Sequence, residues 1–219
     1  MSHDDFAFEP IRGLPALLPQ GEELLWQGIP DWKALAISAY HVRKVAIYFL
    51  VLVLWRVGIG VNEAQALTAV LLSCVWLAAL GAAAVGVLAL LAYLTARYTI
   101  YSITSQRVIL RYGVAVSMTM NIPFDLLESA GLRKRALGTG DIAMSLRADQ
   151  RVGYITTWPH VRPGYIARPQ PSFRAVADAE RAAEVLRTAM LAHAGSSAIR
   201  VDSGSPAPAG VGPRTAAAA

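Results

Sequence analysis

The sequence predicts a membrane-embedded α-helical hairpin followed by an α+β domain, a small antiparallel β-barrel or sandwich capped by a C-terminal helix. Three observations carry that expectation. Apolar residues make up 55% of the 219-residue chain and charged residues only 16%, against about 45–50% and about 25% in soluble domains. Two runs in the first half of the chain hold much of the excess. Beyond them the pattern changes to short alternating segments broken by turn residues, and then to a helical period.

Residues 1–36 read as a cytoplasmic N-terminal segment. They contain acids, prolines and glycines, which rules out a cleaved leader ending in the first apolar run. Residues 37–95 read as a two-helix hairpin. Its first span, about 45–61, is VAIYFLVLVLWRVGIGV with the single charge Arg56. It is short for a bilayer, so it either borrows from Leu35–Tyr40 or ends among the head groups. The second span, about 66–94, has no charge at all. About 20 apolar residues rising 1.5 Å each cross a hydrocarbon core of about 30 Å, so this run crosses with length to spare.

Basic residues set the orientation. His41, Arg43 and Lys44 precede the first span, and Arg97, Arg107 and Arg111 follow the second. The loop Val61–Gln65 carries Glu63 and neither Lys nor Arg. Both termini are therefore expected in the cytoplasm, with the chain a multi-pass membrane protein. Arg56, near the outer end of its span, is expected to snorkel to the interface, the alternative being an ion pair with a partner helix. Ala78, Ala82 and Gly86 recur at four-residue spacing, which lets helices approach closely. They suit packing against the first span or against another subunit or client helix; a homodimer is left open. The lone Cys74 reads as a small apolar filler and excludes an intramolecular disulfide.

Residues 96–194 are assigned to the cytoplasmic domain. Strands are expected at Arg97–Ile103, Gln106–Tyr112 and Ala115–Asn121, joined by turns at Thr104-Ser105 and Gly113, as in an antiparallel meander. Residues 122–132 fit a fourth strand or an irregular connection. Gly138–Asp141 is expected to turn into a strand at Ile142–Leu146, with a further strand near Val152–Trp158. Four prolines between Trp158 and Pro171 exclude regular structure there. From about Ser172 to Ala194, Val176, Ala179, Ala183, Leu186 and Met190 follow an amphipathic helical period. Residues 195–219, small and proline-rich, read as a disordered tail. Short strands closed by one helix are the pattern of a pleckstrin-homology-like (PH-like) domain.

No constellation points to catalysis. P-loop, dinucleotide, HExxH and GxSxG signatures are missing from the sequence. Asp125, Glu128, Asp141 and Asp149 are scattered, and a His160–Asp149 pair would lack a nucleophile. The expectation is a non-enzyme without a cofactor or metal. Two features suit binding instead. Arg133, Lys134 and Arg135 form a basic cluster in a region with thirteen Lys/Arg against seven Asp/Glu, suited to a membrane lipid surface. Trp158, His160 and Arg162 lie in a proline-stiffened loop, and Trp and Arg are favoured interface anchors. Nucleic acid is not an expected partner, since the basic residues form no helical array and have no aromatic interleaving.

Several stretches carry a family resemblance. LPQGEELLWQGIPDW (Leu18–Trp32) and YTIYSITSQRVILRYG (Tyr98–Gly113) resemble bacterial PH-like membrane proteins. HVRKVAIYF (His41–Phe49), NIPFDLLESAGL (Asn121–Leu132), GTGDIAMSL (Gly138–Leu146) and WPHVRPG (Trp158–Gly164) resemble, in this order, the photosynthetic-complex assembly proteins of purple bacteria. The resemblance covers roughly residues 10–190 and does not extend into the tail. It implies a membrane-bound assembly factor for the photosynthetic reaction centre and its core light-harvesting complex, acting by binding client subunits, with reaction-centre and core antenna subunits as partners. It also implies association with the reaction-centre H subunit and its surrounding genes. Antenna helices ligate bacteriochlorophyll through a histidine inside the span. His3, His41, His160 and His193 all lie outside both apolar runs, which argues against a structural antenna role. The alternative is a membrane-anchored PH-like scaffold or envelope sensor with no link to pigments.

Overall fold

In the computed structural model, which describes residues 11–14, 16–114, 116–135, 138–147 and 152–202, the chain begins with a strand rather than a free segment. β1 (Leu24–Gly28) pairs antiparallel with β2 (Ile100–Thr104), Trp26 opposite Ile103. Residues 1–36 are thus not a separate cytoplasmic segment, since their described part is woven into the domain. Glu22 fastens the same edge: its buried carboxylate accepts from Arg107 Nε (2.8 Å) and Nη2 (2.5 Å).

The chain then forms α1 (Trp32–Ser38), α2 (Val42–Asn62) and α3 (Leu67–Arg97). Asp31 caps α1 by accepting from Ala34 N–H at 2.7 Å, as N-terminal capping requires. Leu35–Tyr40 does not extend the first long helix. His41, in the left-handed region at φ 54°, ends α1's direction and starts α2. Leu35 is instead wholly buried with Ala34, Ala96 and Ala175. α2 and α3 have mean hydropathies of 1.9 and 2.4 and are each long and apolar enough to cross a membrane. They pack where glycine allows close approach. A Cβ at Gly60 would come within 2.4 Å of Val70, and one at Gly81 within 2.8 Å of Phe49. At the far end Arg56 Nη2 donates to Gln65 Oε1 at 2.7 Å, and Gln65 donates in turn to Glu63 at 2.6 Å. The arginine reaches back to the connecting loop, the direction snorkelling requires.

β2, β3 (Arg107–Tyr112) and β4 (Met118–Pro123) complete a four-stranded antiparallel sheet in the order β1-β2-β3-β4. A single 3-10 turn, Phe124–Leu126, leads into β5 (Leu127–Lys134), which pairs with β6 (Gly140–Leu146) and through it with β7 (Ser172–Val176). The strands form two sheets. An isolated bridge between Pro30 and Val176 links their edges, and no continuous ladder closes a barrel among the described strands. Both sheets face one core. Tyr101, Leu110, Met144 and Phe173 are fully buried there, and Tyr101 stacks on Phe173 with centroids 4.5 Å apart.

Three expectations fail after β6. Residues 154–157 form a short helix, α4 (Tyr154–Thr157), in place of a strand at Val152–Trp158. Thr157 closes its turn by donating Oγ1–H to Gly153 O at 2.9 Å. The final helix, α5, spans Ala179–Asp202, so Ser172–Val176 is a strand and not its first turn. Val176 matched the helical spacing, yet its pairing with Gly140 decides its state. The other period positions hold: Ala179 and Leu186 are buried on the sheets, and Ala183 and Met190 pack beside them. The helix also passes residue 195, where the tail was expected to start. His3, Asp149 and residues 203–219 lie outside the described residues.

Candidate functional site

β7 contains a bulge. Its register shifts between the Gly140–Val176 and Ile142–Phe173 pairs, and Ala175 takes φ 54°, unusual for a residue with a side chain. The bulge frees Ala175's backbone for two outside partners. Its N–H donates to Asp141 Oδ1 at 2.9 Å, and its carbonyl accepts from Asp31 N–H at 2.7 Å. It also sets Arg174 on the outer face of the second sheet, where it is only 3% exposed.

Arg174 is the hub of the joint between the domain and the helices. Its Nη1 donates to Val161 O (3.0 Å) and Pro159 O (3.3 Å), and its Nη2 to Ser38 O at the end of α1 (3.2 Å). Its Nε lies 3.3 Å from Asp141 Oδ2. Asp141 is also paired with Arg135, whose Nε donates to Oδ2 at 2.5 Å. Arg174's own N–H donates to Tyr101 Oη at 3.1 Å. The same oxygen lies 2.7 Å from His160 Nδ1, and His160 Nε2 lies 3.2 Å from Thr99 Oγ1, so both ring nitrogens have a hydrogen-bond partner inside the protein. Burial, helped by the Arg174 charge, pushes the His160 pKa down to about 3. At neutral pH this histidine is an uncharged structural link.

The expected binding residues divide accordingly. His160 is fully buried and cannot serve as a surface contact, because Tyr101 and Thr99 occupy both ring nitrogens. Trp158 is 47% exposed and meets the Tyr40 ring edge-on, with ring centroids 5.2 Å apart. Arg162 is exposed, donates to Gln170 at 3.0 Å and lies 4.1 Å over the Tyr165 ring. Trp158 also walls a largely apolar cavity of about 320 Å³ shared with Tyr40, Leu88, Leu91 and Val114.

The basic cluster is divided by strand alternation. Lys134 faces α5 and pairs with Glu180 at 2.7 Å. Arg133 and Arg135 face the other way and, with Arg162 and Arg174, line a cavity of about 130 Å³. A wider groove of about 560 Å³ lies between β5 and α5. Ala78, Ala82 and Gly86 are exposed on α3, and a Cβ at Gly86 would touch nothing within 4 Å. The α2 contact uses Gly81 instead, so packing against the first span is not what these three residues do.

Sequence reasoning missed the Arg174–Asp141 pair. The available signal was a charged residue inside an alternating apolar segment, SFRAV, which the helical period beginning at Val176 obscured.

Two sheets of four and three strands with a C-terminal helix, set on a pair of long apolar helices, define a PH-like protein, and the chain belongs to the Bacterial PH domain family, matched over residues 40–190. It is 43% identical over 190 residues to a Rhodobacter capsulatus protein described as "Uncharacterized 23.7 kDa protein in puhA 5'region", covering 86% of this chain and 89% of the relative. No solved structure matches the chain.

Proposed function

We propose that this protein is a membrane-bound assembly factor for the photosynthetic reaction centre and its core light-harvesting complex. The observation that carries the reading is the relative from the puhA 5′ region, similar over nearly the whole chain, which hints at a link to photosynthesis genes. The family resemblance of the assembly-protein segments agrees with it. In this reading α2 and α3 cross the inner membrane, both termini are cytoplasmic, and the protein binds reaction-centre and core antenna subunits without a catalytic step or cofactor. The open Ala78–Ala82–Gly86 stripe on α3 offers a client helix a surface that the protein's own hairpin does not occupy. Trp158 presents an anchor at the domain's end of the same helix, and Arg162 is exposed in the same loop.

Deleting the gene and recording near-infrared spectra of phototrophically grown membranes tests the reading. Reaction-centre and core-antenna absorbance should fall while membrane yield holds. An unchanged spectrum rejects the assembly role and leaves an anchored scaffold unrelated to pigments.

A further inference from the structure

We propose that the small cavity on the outer face of the second sheet binds a phosphate-type oxyanion. The cavity, about 130 Å³, is lined by Arg133, Arg135, Arg162 and Arg174 around a single carboxylate, Asp141. Arg133 of β5 and Arg135, just beyond its end, come to the same side as Arg174 of β7, and the loop after Trp158 adds Arg162. Asp141 is committed to Arg135 and Arg174, so among the described residues no carboxylate lining the cavity offsets the charge of the other two.

One buried donor there lacks an acceptor, and a second has an ion-pair contact only. Ser172 Oγ, on a residue only 1% exposed, makes no hydrogen bond among the described residues. Arg174 Nε is close to Asp141 but makes no hydrogen bond of acceptable geometry. Buried donors without partners are rare in folded proteins and call for a missing water or ion. Water could satisfy Ser172 but could not balance the guanidinium charges of Arg133 and Arg162. Arg133 from β5 and Arg162 from the loop, beside the Ser172 hydroxyl, suit a tetrahedral group with several acceptor oxygens, as in Arg–phosphate pairs.

The placement suggests two sources for that chemistry. Arg174 bonds Ser38 at the end of α1, and α1 packs on the end of α3 through Leu35 and Ala96. If the hairpin spans the membrane, as proposed above, the cavity lies beside the head-group layer, and a phospholipid phosphate is one source. Free inorganic phosphate is the other.

The test uses the full chain, purified in detergent and delipidated. One arm titrates inorganic phosphate by calorimetry. The other measures retention of short-chain phosphatidylglycerol against an uncharged glycolipid by native mass spectrometry. Arg133→Gln/Arg162→Gln removes the two arginines that do not hold Asp141, and its folding is checked by circular dichroism and melting. Ser172→Ala serves as an independent variant should the double substitution unfold. The wild type should bind at least one phosphate probe, with affinity lowered roughly tenfold or more in the double variant and less in Ser172→Ala. Loss confined to the lipid arm identifies the head group; loss confined to the phosphate arm identifies a soluble ligand. A wild type that binds neither probe, or variants that bind both as the wild type does, overturns the proposal. No photosynthetic client is present, so this result is independent of the spectral test.

Discussion

The joint around Arg174 and the outer face of α3 are built on opposite rules. The joint buries charge and polar groups in a protein interior: Asp141, Arg174, Tyr101, His160 and Thr99 are each 5% exposed or less and linked to one another. The α2–α3 hairpin leaves apolar side chains open, with Leu72, Trp76 and Leu80 each more than half exposed and only 6% of each apolar window buried. A buried ionic network loses heavily when one member is removed, because the others stay behind desolvated. An open apolar helix is incomplete and takes its stabilisation from lipid or from another helix. Substitutions at the joint should therefore act on folding, and substitutions on the outer face should act on association.

The sharpest way to break that distinction is Asp141→Ala. It strands Arg135 and Arg174 and leaves Ala175 N–H without its acceptor. The expected loss is about 3–5 kcal/mol, as for breaking a buried ion pair. Thermal unfolding of the purified protein and protease resistance of the domain measure it. Glu184→Ala, which breaks an exposed pair with Arg187 on α5, should leave the melting temperature unchanged.

The same joint predicts a pH response. His160 has its pKa depressed from 6.5 to about 3 in the folded state, so the unfolded chain binds more protons between those values. Its contribution is complete above about pH 6.5 and is lost as pH falls toward 3. Stability should drop by roughly 2 kcal/mol between pH 7 and pH 5 from this group. Melting curves of wild type and His160→Gln across that range check it: the variant starts lower and has the flatter profile. Equal slopes would show that His160 is not the titrating group.

How much of this was legible in the sequence follows the same contrast. The two long helices are written in composition, since uninterrupted apolar runs have few other physical outcomes. β2, β3 and β4 show in alternation and turn residues. β1 was missed because LLWQG is too short to show a period and finds its state only by pairing with β2, some 75 residues away in the chain. α4 was mistaken because Ile155, Thr156 and Thr157 are β-branched and favour strands locally, whereas the Thr157–Gly153 hydrogen bond favours a turn. The surface site was half legible. Trp158 and Arg162 are exposed as loop residues should be, while the burial of His160 depends on Tyr101, a partner 59 positions earlier. The 133–135 run looked like one patch because sequence order hides that a strand sends neighbours to opposite faces.

Two glycines on one helix sharpen the comparison further. Gly81→Ala would bring a Cβ within 2.8 Å of Phe49. Because the nearest atoms are Phe49 Cβ and Cγ, at the root of the side chain, the two helices must part slightly and the expected cost is about 2 kcal/mol. Gly86→Leu meets nothing inside the protein and should leave detergent stability unaltered while reducing co-purification of client helices. If Gly86→Leu lowers stability as Gly81→Ala does, the outer face is in fact occupied within this chain.

Among the substitutions expected to cost stability, the smallest effect is at Trp158, which stands between the two regions. Half of it is exposed, and its inner edge rests on Tyr40. Tyr40 shares a 2.6 Å hydrogen bond with Thr95 of α3, a contact that does not involve the indole. Losing the aromatic contact in Trp158→Ala should cost about 1 kcal/mol or less, and Arg174 and His160 should still hold the loop in place through the Pro159, Val161 and Tyr101 contacts. The protein should accumulate in membranes at the wild-type level, and pull-down of reaction-centre and antenna subunits should weaken. Disappearance of the protein itself would instead make Trp158 part of the joint and move the boundary between the two regions outward to the surface of the loop.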